Sequence, residues 1–178
     1  TEILCVVNDT NGGDPLGVYR FFRDIGASYI TFLPLVNRIA GDRVTPASVS
    51  PKKWGNFLIS VFNEWIERDI GRIQVQIFEE TARCAFDLDH SLCIFRETCG
   101  DVPVVDFTGD FYACDHFVDD RHHWGNILES PLNTLLADPR QREFGRAKVV
   151  NLPQYCRECP VIKMCNGGCP RNRFTRTP

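Results

Sequence analysis

The sequence predicts an α/β protein in two parts: successive β/α units up to about residue 80, then a small, irregular α+β segment rich in cysteine. Two observations carry this reading. Strand-like apolar runs alternate with helical stripes in the first part, and seven of the nine cysteines follow residue 90. With 178 residues, 43% of them hydrophobic and 11% aromatic, the chain is globular in class, and folding should bury roughly 70% of its unfolded surface. The 20 Lys plus Arg against 23 Asp plus Glu leave a net charge of −3, too weak to favour a phosphate backbone. Nucleic acid is therefore not expected as a partner.

Ile3-Leu-Cys-Val-Val7 reads as the first strand. The chain enters it directly from Thr1, which gives the expectation that a longer protein precedes it. The turn signal Asn11-Gly-Gly-Asp-Pro15 leads into a helix over Leu16 to Ile25, with Leu16, Tyr19, Phe22 and Ile25 at helical spacing and Gly26 as its stop. Tyr29 to Val36 is the second strand. Strand, helix and strand in this order form a βαβ unit with parallel strands. Ser50 caps the next helix, Pro51 suits its first turn, and Trp54, Phe57, Leu58, Val61, Phe62, Trp65 and Ile66 recur along one face. That stripe reads as core, not as a cofactor box. Gly71 ends the helix, and Ile73 to Ile77 reads as a third strand.

The longest apolar run is the five residues Ile3 to Val7, against the roughly 20 that a bilayer span needs, so no membrane partner is expected. No secretory leader pattern opens the chain, and the default is a cytoplasmic, reducing setting. There, clustered cysteines read as metal or redox sites. Val102 to Phe107 and Phe111 to Cys114 flank Thr108-Gly-Asp110 and predict a tight hairpin. Pro131 to Phe144 carries a short helical pattern broken at Asp138-Pro139.

Cys156-x2-Cys159-x5-Cys165-x3-Cys169 gathers four thiols within 14 residues, with Pro after Cys159 and after Cys169. Thiolates are soft ligands, and such sulfur sets select zinc or iron-sulfur clusters. Disulfides fit neither the compartment nor the odd count of nine. A zinc-binding structural or interaction module and an iron-sulfur protein both remain open at this point.

Upstream of these cysteines stands the spacing Cys99-x9-Gly109-x4-Cys114. The combined pattern resembles the SPASM domain of radical S-adenosylmethionine enzymes. Cys93, six residues before Cys99, and Cys114-Asp115-His116-Phe117 resemble the anaerobic sulfatase-maturating enzymes in particular. Pro15 to Phe22 and Ile30 to Val36 are similar to the later part of their partial barrel.

This resemblance implies that residues 1–89 are the C-terminal part of a radical S-adenosylmethionine partial barrel and that residues 90–178 are a SPASM domain truncated at its C-terminus. It implies two auxiliary 4Fe-4S clusters, the first on Cys93, Cys99, Cys114 and Cys169. The second would take Cys156, Cys159 and Cys165, plus one cysteine that these residues do not supply. It further implies S-adenosylmethionine in the intact enzyme, a sulfatase polypeptide as partner, and oxidation of its cysteine or serine to Cα-formylglycine, with Asp115 as the base. The family's Cys-x3-Cys-x2-Cys loop is absent from these residues, so the chain alone is expected not to cleave S-adenosylmethionine. Zinc is the alternative occupant of the cysteine sites, and another peptide modification by a SPASM enzyme is the alternative activity. His90, His116, His122 and His123 read as solvated or hydrogen-bonded, Cys5 and Cys84 as small buried hydrophobes, and Arg171, Arg173 and Arg176 as a solvated basic tail.

Overall fold

The computed structural model describes residues 1–174 apart from Ala40 and Asp42; Arg176 of the expected tail lies outside the described residues. The chain divides into two units, Thr1–Ala82 with Phe174, and Arg83–Arg173.

In the first unit, β1 (Glu2–Val7) and β2 (Tyr29–Pro34) pair in parallel over their full length, with Cys5 opposite Phe32. The connecting helix α1 (Pro15–Asp24) begins where the Asp14 carboxylate accepts the Gly17 N–H at 3.0 Å, a cap typically worth about 1 kcal/mol. It ends before Gly26, whose φ of +81° suits a residue without a Cβ. The predicted βαβ unit is thus present. α2 (Pro51–Arg68) starts at Ser50, whose hydroxyl accepts the Lys53 N–H at 3.2 Å. Phe57, Val61 and Trp65 bury the centre of its stripe, whereas Phe62 and Ile66 at the edge stay partly exposed.

The third strand is shorter than its alternation suggests. β3 (Gln74–Val75) pairs parallel to β2, and the chain then turns directly into α3 (Gln76–Arg83). The expected strand residues Gln76 and Ile77 are helical, and Phe78 packs on Phe62 and Trp65 with ring centroids 5.1 and 5.4 Å away. Aromatic packing from the helix has prevailed over the local β pattern. Polar groups in this core are paired: the fully buried Tyr19 hydroxyl donates to Asp69 Oδ2 at 3.0 Å, and Trp65 Nε1 donates to the Ile73 carbonyl at 2.7 Å.

The second unit holds an antiparallel sheet, β4 (Val104–Val105), β5 (Asp110–Tyr112) and β6 (His123–Asn126), in that order. The predicted hairpin is its first pair. Asp106 shapes the turn by accepting from the Thr108 and Asp110 N–H groups at 2.9 and 3.1 Å, with Gly109 at φ +89°. β6, His-Trp-Gly-Asn, has no alternating pattern and was not expected. α4 (Leu132–Leu136), α5 (Pro139–Val150) and α6 (Gln154–Arg157) follow. The break at Asp138-Pro139 is a helix start, with Asp138 capping the Arg140 N–H at 2.8 Å. Among the described residues no helix is long and apolar enough to cross a membrane.

Candidate metal centre

The inward face of α5 consists of Gln141, Gly145 and Lys148, which share one side of the helix. Gln141 is 7% exposed; its Nε2 donates to the carbonyls of Gly100 at 2.6 Å and Ala113 at 2.9 Å, and its Oε1 accepts Trp124 Nε1 at 2.6 Å. One side chain thereby ties the residue after Cys99 to the residue before Cys114. A turn later, Gly145 lies against Cys99. The Cys99 N–H donates to the Gly145 carbonyl at 3.3 Å, and a Cβ at position 145 would stand 2.1 Å from the Cys99 carbonyl oxygen. At the next rung, Lys148 Nζ donates to the carbonyls of Cys93 at 2.9 Å, Ile94 at 3.0 Å and Arg96.

Cys169 arrives through an unusual loop. Asn166, Gly167 and Gly168 all have positive φ, at 46°, 73° and 64°, a run that residues with larger side chains resist. Arg173 gathers the loop carbonyls: Nε donates to Gly167 at 3.0 Å and Nη2 to Asn166 at 3.1 Å, while Nη1 reaches the Lys148 carbonyl at 2.6 Å. The reading of Arg173 as part of a solvated tail is corrected: it is an anchor, because its guanidinium fork meets the carbonyls that the left-handed loop turns toward it. Arg171 is exposed, as expected.

These contacts hold the loops that carry the predicted first set of cysteines, Cys93, Cys99, Cys114 and Cys169, to α5 or to the Arg173 anchor. Burial raises the thiols of Cys99 and Cys169 and pushes Cys114 up to about 12. Beyond burial, Cys99 responds to Cys169 and Cys93, Cys114 to Cys169, and Cys169 to Cys93. All nine cysteines are free of disulfides. Four half-buried free thiols on such loops fit a cation centre, which deprotonates the thiols it binds.

Asp115 stands beside this group with its side chain 60% exposed. Its Oδ1 accepts the Cys114 thiol at 3.2 Å, and its Oδ2 lies 4.0 Å from His116 Nε2. His116 Nδ1 in turn is 3.5 Å from Cys169 Sγ, and ligand atoms of Cys114, Asp115 and His116 lie within 4.8 Å of one another. Sequence reasoning left His116, Lys148 and Arg173 out of the site. Only His116 had a signal, its place in the Cys114-Asp-His-Phe117 run. His122 and His123 have ordinary partners, Asp119 at 2.8 Å and Asp110 at 3.0 Å.

The second predicted set, Cys156, Cys159 and Cys165, is half-buried and strung along turns. The Cys159 N–H donates to the Cys156 carbonyl at 3.2 Å, and the Cys165 N–H to that of Ile162 at 3.1 Å. Cys84 is not the buried hydrophobe expected of it. It is half-buried, 3.3 Å from His90 Nε2, and its thiol donates at 3.0 Å to the Lys163 carbonyl between Cys159 and Cys165. Cys5, at 8% exposure, does behave as a core residue.

The SPASM family, an iron-sulfur cluster-binding domain, matches residues 93–160. That description supports iron at the cysteine sites, and nothing in it supports the zinc expected as an alternative. The chain is 39% identical over 189 residues to the serine-type anaerobic sulfatase-maturating enzyme of Bacteroides thetaiotaomicron, with 98% of this chain and 46% of that one covered. It is 26% identical over 178 residues to the cysteine-type enzyme of Clostridium perfringens, covering 98% and 48%. A solved structure described as native anSMEcpe with bound AdoMet and Cp18Cys peptide aligns with a TM-score of 0.82 at 26% identity, covering 98% of this chain and 49% of that one. The chain thus spans about half the length of the relatives it matches.

Proposed function

Along nearly its whole length the chain belongs with the anaerobic sulfatase-maturating enzymes, and on that premise we propose that it carries the auxiliary-cluster half of a radical S-adenosylmethionine enzyme oxidising a sulfatase cysteine or serine to Cα-formylglycine. In this reading residues 1–89 contribute to the partial barrel and residues 90–178 form the SPASM domain. Cys93, Cys99, Cys114 and Cys169 hold one 4Fe-4S cluster, and Cys156, Cys159 and Cys165 contribute to a second. The sulfatase polypeptide is the partner; a relative's structure with a bound peptide supports a peptide substrate.

The observation that carries the reading is an exposed carboxylate, Asp115, whose oxygen lies 3.2 Å from the Cys114 thiol. When bound, S-adenosylmethionine and the clusters supply radical hydrogen abstraction and a sink for electrons. The chain's own residues supply position and proton transfer. Asp115 takes the proton of the substrate thiol or hydroxyl on Oδ2, the oxygen not engaged by Cys114. Gln141 and Gly145 keep the flanking loops from shifting as the substrate enters.

Asp115→Asn in the intact enzyme keeps the shape and removes the base. Formylglycine yield should fall by roughly 10²–10⁴-fold while iron content and peptide-independent cleavage of S-adenosylmethionine persist. Near-normal yield with intact clusters would remove Asp115 from the mechanism; iron lost together with activity would make it a structural residue.

A further inference from the structure

A buried ammonium is costly unless polar groups surround it, and a buried charge ordinarily has a partner of opposite sign. Lys148 is 1% exposed. Three backbone carbonyls, those of Cys93, Ile94 and Arg96, receive its protons. Burial lowers its pKa, and the ionisable groups that act on it next are the Cys99 thiol, the Arg173 guanidinium and the Cys93 and Cys169 thiols. Arg173 is itself bonded to the Lys148 carbonyl at 2.6 Å, so two cations share this interior. Sulfurs bound to metal would supply an anion that answers them, because a four-thiolate iron-sulfur centre carries net negative charge.

We propose that Lys148 is the positioning residue and built-in counter-ion of the Cys93, Cys99, Cys114 and Cys169 centre. This rests on the assignment of that centre above and extends it to a residue that binds no iron. Two effects follow from one side chain. By holding three carbonyls within the four residues Cys93 to Arg96, the ammonium fixes the loop that presents the first ligand. By placing positive charge against the thiolates, it favours the more reduced, more negative state of the cluster and so raises its midpoint potential. A lysine that served only to fill space would do neither. The charge and the donors separate experimentally: Lys148→Arg keeps both, Lys148→Gln keeps a donor and loses the charge, and Lys148→Met loses both.

The test uses the chain prepared anaerobically with iron and sulfide, alongside these three variants and Cys93→Ala. Three quantities are read: the rate at which a chelator strips iron, the midpoint potential of the paramagnetic signal that Cys93→Ala abolishes, and hydrogen exchange over residues 93–99 without metal. Lys148→Gln and Lys148→Met should lose iron about 10–100-fold faster than the parent, the range typical of altered outer-shell partners. Their potentials should move negative, exchange should rise most in Lys148→Met, and Lys148→Arg should stay near the parent. Parental iron retention and potential in Lys148→Gln and Lys148→Met would overturn the proposal while leaving the centre intact. Parent iron that does not depend on Cys93 would remove the centre, and this inference with it. Should the Gln and Met chains fail to fold, Lys148→Arg decides: iron loss well above the parent rate would overturn the proposal.

Discussion

In residues 1–82, twelve buried apolar residues, Tyr19, Phe57, Val61 and Trp65 among them, form one cluster. In residues 83–173 the buried apolar residues among those described are Phe95, Phe111, Ala113 and Leu135, and beside them His90, Gln141 and Lys148 are buried as well. Each fully buried large apolar side chain contributes about 1.5–3 kcal/mol, so the first unit has a core of its own. The second uses its interior differently. Its central helix presents an amide, a glycine and an ammonium to the loops that carry the cysteines. A core of the first kind is stable by excluding water. On the proposed function, a frame of the second kind is completed by the cluster its sulfurs would hold.

Chelation is the strongest way to break this comparison. Metal binding in such units is largely folding free energy, so stripping metal should collapse hydrogen-exchange protection across residues 83–173 and leave that of residues 1–82 near its starting level. Equal loss in both would mean that the second unit has a self-sufficient core after all.

A matched pair of substitutions sharpens it. Phe57 is fully buried, with Phe32 and Trp54 rings 5.1 and 5.9 Å away, and Phe57→Ala should cost the first unit about 3–5 kcal/mol without changing iron retention. Gly145→Ala adds one methyl where 2.1 Å separates the new carbon from the Cys99 oxygen. It should cost about 1–3 kcal/mol of strain, and iron should be lost from the four-cysteine centre while exchange in residues 1–82 stays unchanged. Denaturant melts and iron analysis on both variants give the cross-comparison, and iron loss from Phe57→Ala would blur the two regions together.

The smallest effect is one of pH. Glu64, 10% exposed, accepts from Arg20 and Arg23, and these partners hold its carboxyl down to about 2 from an ordinary 4.5. Its folded value lies below its unfolded one, so the stabilisation is complete above about 4.5 and disappears as pH falls toward about 2. Glu64→Gln should flatten the acid dependence of the first unit's stability in that window, read by denaturant melts at each pH. An unchanged slope would show that the exposed Arg20 contributes nothing through this pair.

The same contrast explains what the sequence made legible. α1 and α2 could be read because caps, stops and apolar stripes agree, as Asp14, Ser50, Gly26 and Phe57 show in the structure. The cysteines stood out because ligand spacing survives in one dimension, while the grouping of Cys93, Cys99, Cys114 and Cys169 came from the family resemblance. α5 escaped notice beyond its first residues because its buried face is Gln, Gly and Lys, and no apolar period marks it. β6 was missed for a similar reason: His123 and Trp124 are half-buried and the strand has no alternation. Arg173 looked like a tail charge until Asn166, Gly167 and Gly168 turned their carbonyls toward it.

The three rungs of α5 also impose a reading frame on the polypeptide. Gln141, Gly145 and Lys148 meet their loops only while successive residues advance by about 100° around the axis. One residue inserted between Gln141 and Lys148 would swing every later position by that angle, carrying the ammonium away from the Cys93 carbonyl and a bulkier side chain toward Cys99. Added length in the exposed turn at Leu128 and Glu129, ahead of α4, leaves those three rungs in phase. An insertion before α4 is therefore expected to be tolerated where the same insertion within α5 is not.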